Sequence, residues 1–352
     1  MTTEKHIQRR LALLKKSLKK ITLDSILVTN RTNVSYLSGF PGHDSMLLIT
    51  PDRDFFITDS RYIEEAEDTL GGFSVKLVER STYDTISGIV KGLRLKKIGF
   101  EAMDLPYGVA DRLYKLVKGA KLFPVKDMIE EIRSVKDQGE IESIRETIRI
   151  SKKVLDRVSG RVVPGAPEKA VAGFIEASFI GEGARSAFDP IVASGENASK
   201  PHAIPSDAPI KDNAFVMIDI GAKFNGYCSD LTRMIALGRI RDRLKKIYVI
   251  VKSAQEKAIE TIRPGARISD VDAAGRGYIA HKSFGRYFGH SLGHGIGMSV
   301  HEKPTVSRTN EGRLKAGMIF TVEPAIYIPK FGGVRIEDMV LVTEKGCEIL
   351  TK

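Results

Sequence analysis

Hydrophobic positions at the start of the chain recur at helical spacing. Ile7, Leu11, Leu14, Leu18 and Ile21 fall on one face, with Lys and Arg on the others, which predicts an opening helix docked on its own domain. Short apolar runs follow, SILVT, SMLLIT and DFFIT, separated by turn-rich pieces such as RTNVS and TPDRD. Helix-patterned segments lie at residues 61–69 and 82–91. Alternating strands and helices make this an α/β domain. Pro124 breaks the pattern in KLFPVKDMIEEIRSVKD, so a first domain is placed at residues 1–130 and a second at 131–352. In the second, residues 134–160 read as one long amphipathic helix with Ile141, Ile144, Ile148 and Leu155 in register, stopped by Pro164 and Gly165. Further helices are expected at 168–182, 242–263 and 269–281.

Two later stretches share one plan. FVMIDIGAKFNGYCSDLTR, residues 215–233, is an apolar run reaching Asp219, a turn with Gly221 and Gly226, and a return run carrying Asp230. IFTVEPAIYIPKFGGVRIEDM, residues 319–339, repeats it with Glu323, a Gly332-Gly333 turn and Glu337. Helix pairs alternating with a twice-written hairpin predict two pseudo-equivalent halves whose helices cover a curved sheet. Four carboxylates among Val, Ile, Met and Phe require cations, because a buried unpaired charge is costly or takes up a proton. Alternation puts Asp230 on a face with Thr232, and Glu337 with Arg335 and Met339. GHSLGHGIG adds His290 and His294, in a strand or turn because its glycines disfavour a helix. Four hard oxygen ligands and one nitrogen suit two divalent metal ions, Mn²⁺ first, with Co²⁺ or Zn²⁺ as alternatives. Singly, each residue has an ordinary reading: Asp219 caps a turn, Asp230 pairs with Arg233, Arg335 neutralises Glu337 or Asp338.

The chain has 352 residues and 42% hydrophobic content, enough for two medium cores. Its net charge of +11 would suit an anionic partner, but no basic patch interleaved with aromatics is present, and neither nucleic acid nor membrane is expected as a partner. No apolar run is long enough to span a bilayer, and no signal-peptide core follows the N-terminal charges. The two cysteines, Cys228 and Cys347, have no metal-type pairing, so a reducing, cytoplasmic location is expected.

These residues resemble the pita-bread metallopeptidases, and within them the Xaa-Pro peptidases, aminopeptidase P and prolidase. In that family two aspartates, a histidine and two glutamates hold the metals in that chain order, and Asp219, Asp230, His294, Glu323 and Glu337 match one by one. His202 in PHAIP, His290 and His301 around the ligand histidine, Tyr327 in EPAIY and Arg335 in GGVRIED match further active-site positions. FDPIVASGENAS and VHEKP are similar to family text, and NVSYLSGFPG and FFITDSRY resemble the smaller domain ahead of the catalytic one. The resemblance implies an α/β (α+β) class, with an N-terminal creatinase/prolidase-like domain and a C-terminal pita-bread domain. It implies a homodimer that cleaves peptides with proline second. Asp219 and Asp230 would mainly hold one ion and His294 the other, with Glu323 and Glu337 spanning both. Glu323 would move the proton, and His202 and His301 would bond the tetrahedral intermediate or leaving nitrogen. His290 and Arg335 would contact substrate, and Tyr327 and Phe188 would line a proline pocket. Methionine aminopeptidases lack the N-terminal domain and the VRIED phrase, and non-catalytic members of the fold would have lost ligands. Prolidases often carry an arginine after VHE-x-P, where Thr305 stands here, so the expectation is an Xaa-Pro aminopeptidase, with the Xaa-Pro dipeptidase as the alternative.

Overall fold

The computed structural model describes residues 3–41 and 43–352; Met1, Thr2 and Gly42, the last residue of NVSYLSGFPG, lie outside the described residues. The chain divides into two compact units, Met1–Arg133 and Ser134–Lys352. The first contains α1 (Thr3–Lys20), β1 (Ser25–Val28), α2 (Arg31–Ser38), β2 (Met46–Ile49), β3 (Phe55–Thr58), α3 (Ile63–Thr69), β4 (Ser74–Leu77), α4 (Thr82–Gly92), β5 (Lys97–Glu101), α5 (Tyr107–Leu116), β6 (Lys121–Val125) and α6 (Met128–Ser134), whose last residue opens the second unit. Its strands form one mixed sheet in the order β4-β3-β2-β1-β5-β6. Leu27, Leu48, Ile57 and Ile98 pack there against Ile86 and Val90 of α4 and Leu113 of α5.

Three local readings differ from the pattern. RTNVS is helix α2, because the Asn30 side chain accepts hydrogen bonds from the amides of Thr32 and Asn33 and so starts a turn of helix where polar residues suggested a loop. Pro124 lies inside β6, which is an edge strand and so tolerates a residue without an N–H. α1 buries Leu11, Leu14 and Leu18 but ends at Lys20, leaving Ile21 exposed.

The second unit contains α7 (Gln138–Ser159), α8 (Glu168–Gly181), β7 (Arg185–Ser186), β8 (Ile191–Ser194), β9 (Phe215–Ile220), β10 (Ala222–Phe224), β11 (Tyr227–Cys228), β12 (Leu231–Ala236), α9 (Asp242–Glu260), α10 (Ile268–His281), β13 (Gly293–Gly295), β14 (Glu302–Val306), β15 (Ile319–Val322), β16 (Ala325–Ile328), β17 (Gly332–Arg335), β18 (Asp338–Val342) and β19 (Cys347–Ile349). The single helix read over 134–160 is interrupted. Lys136 N–H donates to the Gly317 carbonyl at 2.9 Å, and Asp137 and Glu140 form a reciprocal cap that restarts the helix as α7.

Each half builds its own core. Val154, Val171 and Ile175 of α7 and α8 pack on Val216, Ile218 and Leu231 of the first hairpin, while Ile247, Val251 and Val271 of α9 and α10 pack on Phe320, Val322 and Val340 of the second. A repeated Pro-Gly-Ala at 164–166 and 264–266 marks the duplication. Gly165 and Gly265 have φ of 87° and 83°; their amides donate to the carbonyls of Ile210 and Leu314, whose amides donate back to Ala166 and Ala266. The helices therefore cover a duplicated, bent sheet, as the hairpin repeat predicts. Among the described residues no helix is long and apolar enough to cross a membrane.

Two glycines place His294. Short strand β13 lies between β14 and β15, and a Cβ at Gly293 or Gly295 would overlap the carbonyl oxygen of Thr321 or Lys303. A Gly293→Ala variant is therefore expected to lose at least about 2 kcal/mol, read as a fall in Tm of ~5 °C or more, together with metal retention. A variant that melts like the parent would refute this close-approach role.

Candidate metal centre

The four acids sit where the hairpins bend. β9 and β12 pair with Thr232 opposite Asp219; the ladder then breaks at Gly221 and at Ser229-Asp230 before continuing as β10 and β11 around an Asn225-Gly226 turn. In the second hairpin the breaks fall at Glu323-Pro324 and Ile336-Glu337, and the turn lies at residues 329–331. Gly332 and Gly333 thus begin the return strand rather than forming the turn. Gly221 also serves the bend, because a Cβ there would overlap the Ser229 carbonyl and press on the Phe188 ring. Bending both arms is what lets acids on separate strands converge.

Ligand atoms of Asp230, His294 and Glu337 all lie within 4.8 Å of one another. His294 Nε2 stands 3.6 Å from Asp230 Oδ2 and 3.5 Å from Glu323 Oε1. These separations are long for hydrogen bonds, so the groups converge without bonding one another. The His294 tautomer fits: Nδ1 faces the Gly295 carbonyl at 3.1 Å, so it carries the proton and Nε2 presents its lone pair to the acids. Burial, then His301, pushes this imidazole down to about 4, so it is neutral. Burial, then the charge of Asp219, pushes Glu337 up to about 8. Asp230 and Glu323 are raised as well, by burial first and then by Glu337. Asp219 Oδ1 is buried with no hydrogen-bond partner among the described residues. Converging carboxylates, a neutral imidazole and an orphaned buried oxygen fit a divalent metal site.

Arg335 is built into this cluster. Its guanidinium donates to Asp219 Oδ2, to Thr232 Oγ1 at 3.0 Å, to Tyr327 Oη at 2.6 Å and to the Pro201 carbonyl at 2.9 Å, and the residue is 4% exposed. The pairings considered from sequence are thereby redistributed. Arg335 neutralises Asp219 rather than Glu337 or Asp338; Arg233 pairs with Asp338 at 2.7 Å rather than with Asp230. Thr232 donates to Glu337 Oε2 at 2.7 Å, instead of serving Asp230. Burial pushes Tyr327 up to about 12, so it keeps its proton.

The flanking histidines divide into two kinds. His290 is mostly buried, its Nδ1 facing the Ser291 carbonyl at 2.8 Å, its ring 5.8 Å from Tyr327, and burial pushes it down to about 4. Asp272 and Arg276 hold this segment, by accepting from the Leu292 amide and by donating to the His290 carbonyl. His202 and His301 are exposed, and the His301 ring lies 4.1 Å from the His294 ring, tilted by 54° to it. Phe188 is half-buried beside Gly221. Sequence reading missed Thr321, whose hydroxyl accepts from the His294 amide at 3.1 Å and lies 3.4 Å from Glu323 Oε1, and missed Asp272 and Arg276. Thr321 stands two residues before Glu323, a same-face spacing that was legible.

A profile of metallopeptidase family M24 matches residues 142–344, and the creatinase/prolidase N-terminal domain matches residues 10–135. The chain belongs to metallopeptidase family M24. This M24 peptidase is 37% identical over 336 residues to a Xaa-Pro dipeptidase of Pyrococcus horikoshii, covering 95% of this chain and 94% of the relative. It superposes on a Xaa-Pro dipeptidase from Bacillus anthracis with a TM-score of 0.95 and 37% identity, covering 98% of each chain. It superposes on an X-Pro aminopeptidase from Thermotoga maritima MSB8 with a TM-score of 0.88 and 36% identity, covering 96% of this chain and 97% of that one. The M24 peptidase thus has the creatinase-type N-terminal domain and the pita-bread catalytic domain, and it is a metallo-exopeptidase.

Proposed function

We propose that this metallo-exopeptidase is an Xaa-Pro dipeptidase. The observation that carries the reading is near-full-length similarity to the P. horikoshii and B. anthracis dipeptidases, in a chain whose acids at the two hairpin bends converge with His294 of β13. Asp219, Asp230, His294, Glu323 and Glu337 would hold two divalent ions, which supply the charge that lowers the pKa of water and polarises a carbonyl. The choice among Mn²⁺, Co²⁺ and Zn²⁺ belongs to the same proposal, with the oxygen-rich set favouring Mn²⁺.

The protein's own groups divide the rest of the work. Glu323, whose proton affinity is raised by burial and Glu337, holds and passes the proton at its carboxylate. His202 and His301 bond the developing oxyanion or the leaving nitrogen. Arg335 fixes Asp219 and takes an acceptor site of Tyr327, leaving the phenol proton to point at substrate. Tyr327 and His290, whose rings lie 5.8 Å apart, would line the proline pocket together with Phe188.

The aminopeptidase expectation keeps two supports, Thr305 after VHE-x-P and the Thermotoga neighbour. Arg335 already makes four hydrogen bonds, so a clamp for a dipeptide carboxylate would come from its fifth N–H, from Arg308 or Lys303, or from a neighbouring subunit. Specificity constants on a matched Xaa-Pro and Xaa-Pro-Yaa pair decide between them. The dipeptide is expected to be favoured at least about tenfold, roughly the worth of one well-formed charge-assisted contact. Equal or faster cleavage of the longer peptide makes the enzyme an aminopeptidase.

A further inference from the structure

We propose that Glu168 is a positioning residue of this peptidase, gripping both ends of the segment that carries His202 and so setting that imidazole against the reacting bond. The inference rests on the reading of His202 as an oxyanion or leaving-group partner.

Glu168 opens α8 and is only 1% exposed. Its Oε1 accepts from the Ser194 amide at 2.7 Å and the Ser194 hydroxyl at 3.3 Å. Its Oε2 accepts from Asn197 Nδ2 at 2.8 Å, and from the Ser206 amide and hydroxyl at 3.3 and 3.0 Å. Ser194 ends β8 just before the His202 loop begins, and Ser206 stands four residues beyond His202. A carboxylate this deep is tolerated only when donors satisfy it, and here five donors and the first turn of a helix do so. All five donors belong to the two flanks of one loop.

The loop needs such an anchor, because exposed segments wander unless their backbone is tied down. His202 is itself exposed, so packing does not orient it; the backbone on either side must. Asn197 Nδ2 also donates to the Ile204 carbonyl at 3.3 Å, and the Lys169 amide donates to the Ser206 carbonyl at 3.0 Å, both relayed from the Glu168 end of α8. On the inner side Arg335 donates to the carbonyl of Pro201, the residue before His202. The histidine is thereby suspended between an outer carboxylate and the guanidinium that also holds Asp219.

Glu168→Gln preserves size but turns an N–H₂ group toward donors, which breaks the grip. The full-length, metal-loaded variant is expected to keep its metal content and lose at least about tenfold in kcat with KM changed less than about threefold, since a small misplacement of a reacting group is costly. Combined with His202→Ala it should add almost nothing to the loss from His202→Ala alone, because both act through the same imidazole. Hydrogen exchange at the Ser194 and Ser206 amides should rise in Glu168→Gln. Should that protein fail to fold, Ser206→Ala, which removes one of the five donors, is expected to show the same pattern at smaller amplitude. A Glu168→Gln loss that adds in full to that of His202→Ala, or a wild-type kcat, overturns the proposal. Wild-type activity in His202→Ala overturns the reading of His202 itself, so the two failures are told apart.

Discussion

A Glu337→Gln enzyme is expected to lose at least ~10³-fold in kcat/KM and its stoichiometric divalent metal, while its metal-free form melts higher than metal-free wild type. The two signs have one cause. Glu337 is 2% exposed, accepts from Thr232 and shares the space between the hairpins with Asp219, Asp230 and Glu323. With metal bound, its charge is compensated, and removing it weakens a site asked to supply several kcal/mol of transition-state stabilisation, of which about 4 kcal/mol corresponds to the expected loss. Without metal, burial and the neighbouring acids disfavour the carboxylate, which must take up a proton to stay in the fold, so an amide that never carries charge relieves that cost. Metal analysis, kinetics and paired melts with and without chelator read all three quantities. A purely structural Glu337 predicts the opposite shift in the metal-free melt, and that result would sink the metal-ligand assignment.

The metal-free protein should also lose stability as pH rises from about 6.5 to about 8. Asp230, Glu323 and Glu337 take up protons more readily in the folded chain than in the unfolded one, Glu337 with a pKa of about 8 against an ordinary 4.5. A group raised in the folded state contributes stability that is complete below its unfolded pKa and is lost as pH climbs through the folded value. His290 and His294, both pushed down to about 4, act in the other sense: their contribution is present above 6.5 and lost as pH falls toward 4. The two trends offset each other between about 4 and 6.5. Above that the carboxylates act alone, and Glu337 by itself corresponds to about 2 kcal/mol across the window, or a Tm decrease of ~4–8 °C. Saturating Mn²⁺ should abolish the decline, because a cation that binds deprotonated ligands binds more tightly as pH rises. A metal-free Tm that is flat or rising between pH 6.5 and 8 contradicts the picture of uncompensated acids.

Much of the architecture was legible because it rests on local periodicity. The helices expected at 242–263 and 269–281 are α9 and α10, with ends differing by a few residues, and the twice-written hairpin is present with acids on both arms. What misled was local punctuation. RTNVS has a loop-like composition, yet one Asn side chain turned it into a helix start, and Gly221 and Gly333 looked like turn residues although close backbone approach is what excludes a side chain there. The Pro-Gly-Ala repeat a hundred residues apart was a readable mark of the duplication that the hairpins alone had to carry.

The chain by itself determined where the candidate ligands lie and in what order they come: the alternation of strands and helices, four acids on two hairpins, and His294 between glycines. Those features depend on neighbours a few residues apart, and pattern reports them. The partnerships were decided only by the tertiary structure. Arg335 reaches Asp219 across 116 positions, Thr232 reaches Glu337 across 105, and Glu168 reaches Ser206 across 38. Every such choice had nearer candidates of suitable charge or polarity in sequence, such as Arg233 for Asp230 or Asp338 for Arg335. Bent hairpins set strands side by side that spacing keeps apart, and burial then makes each partnership matter, because a charge or hydroxyl removed from water must bond whatever the fold has placed within reach.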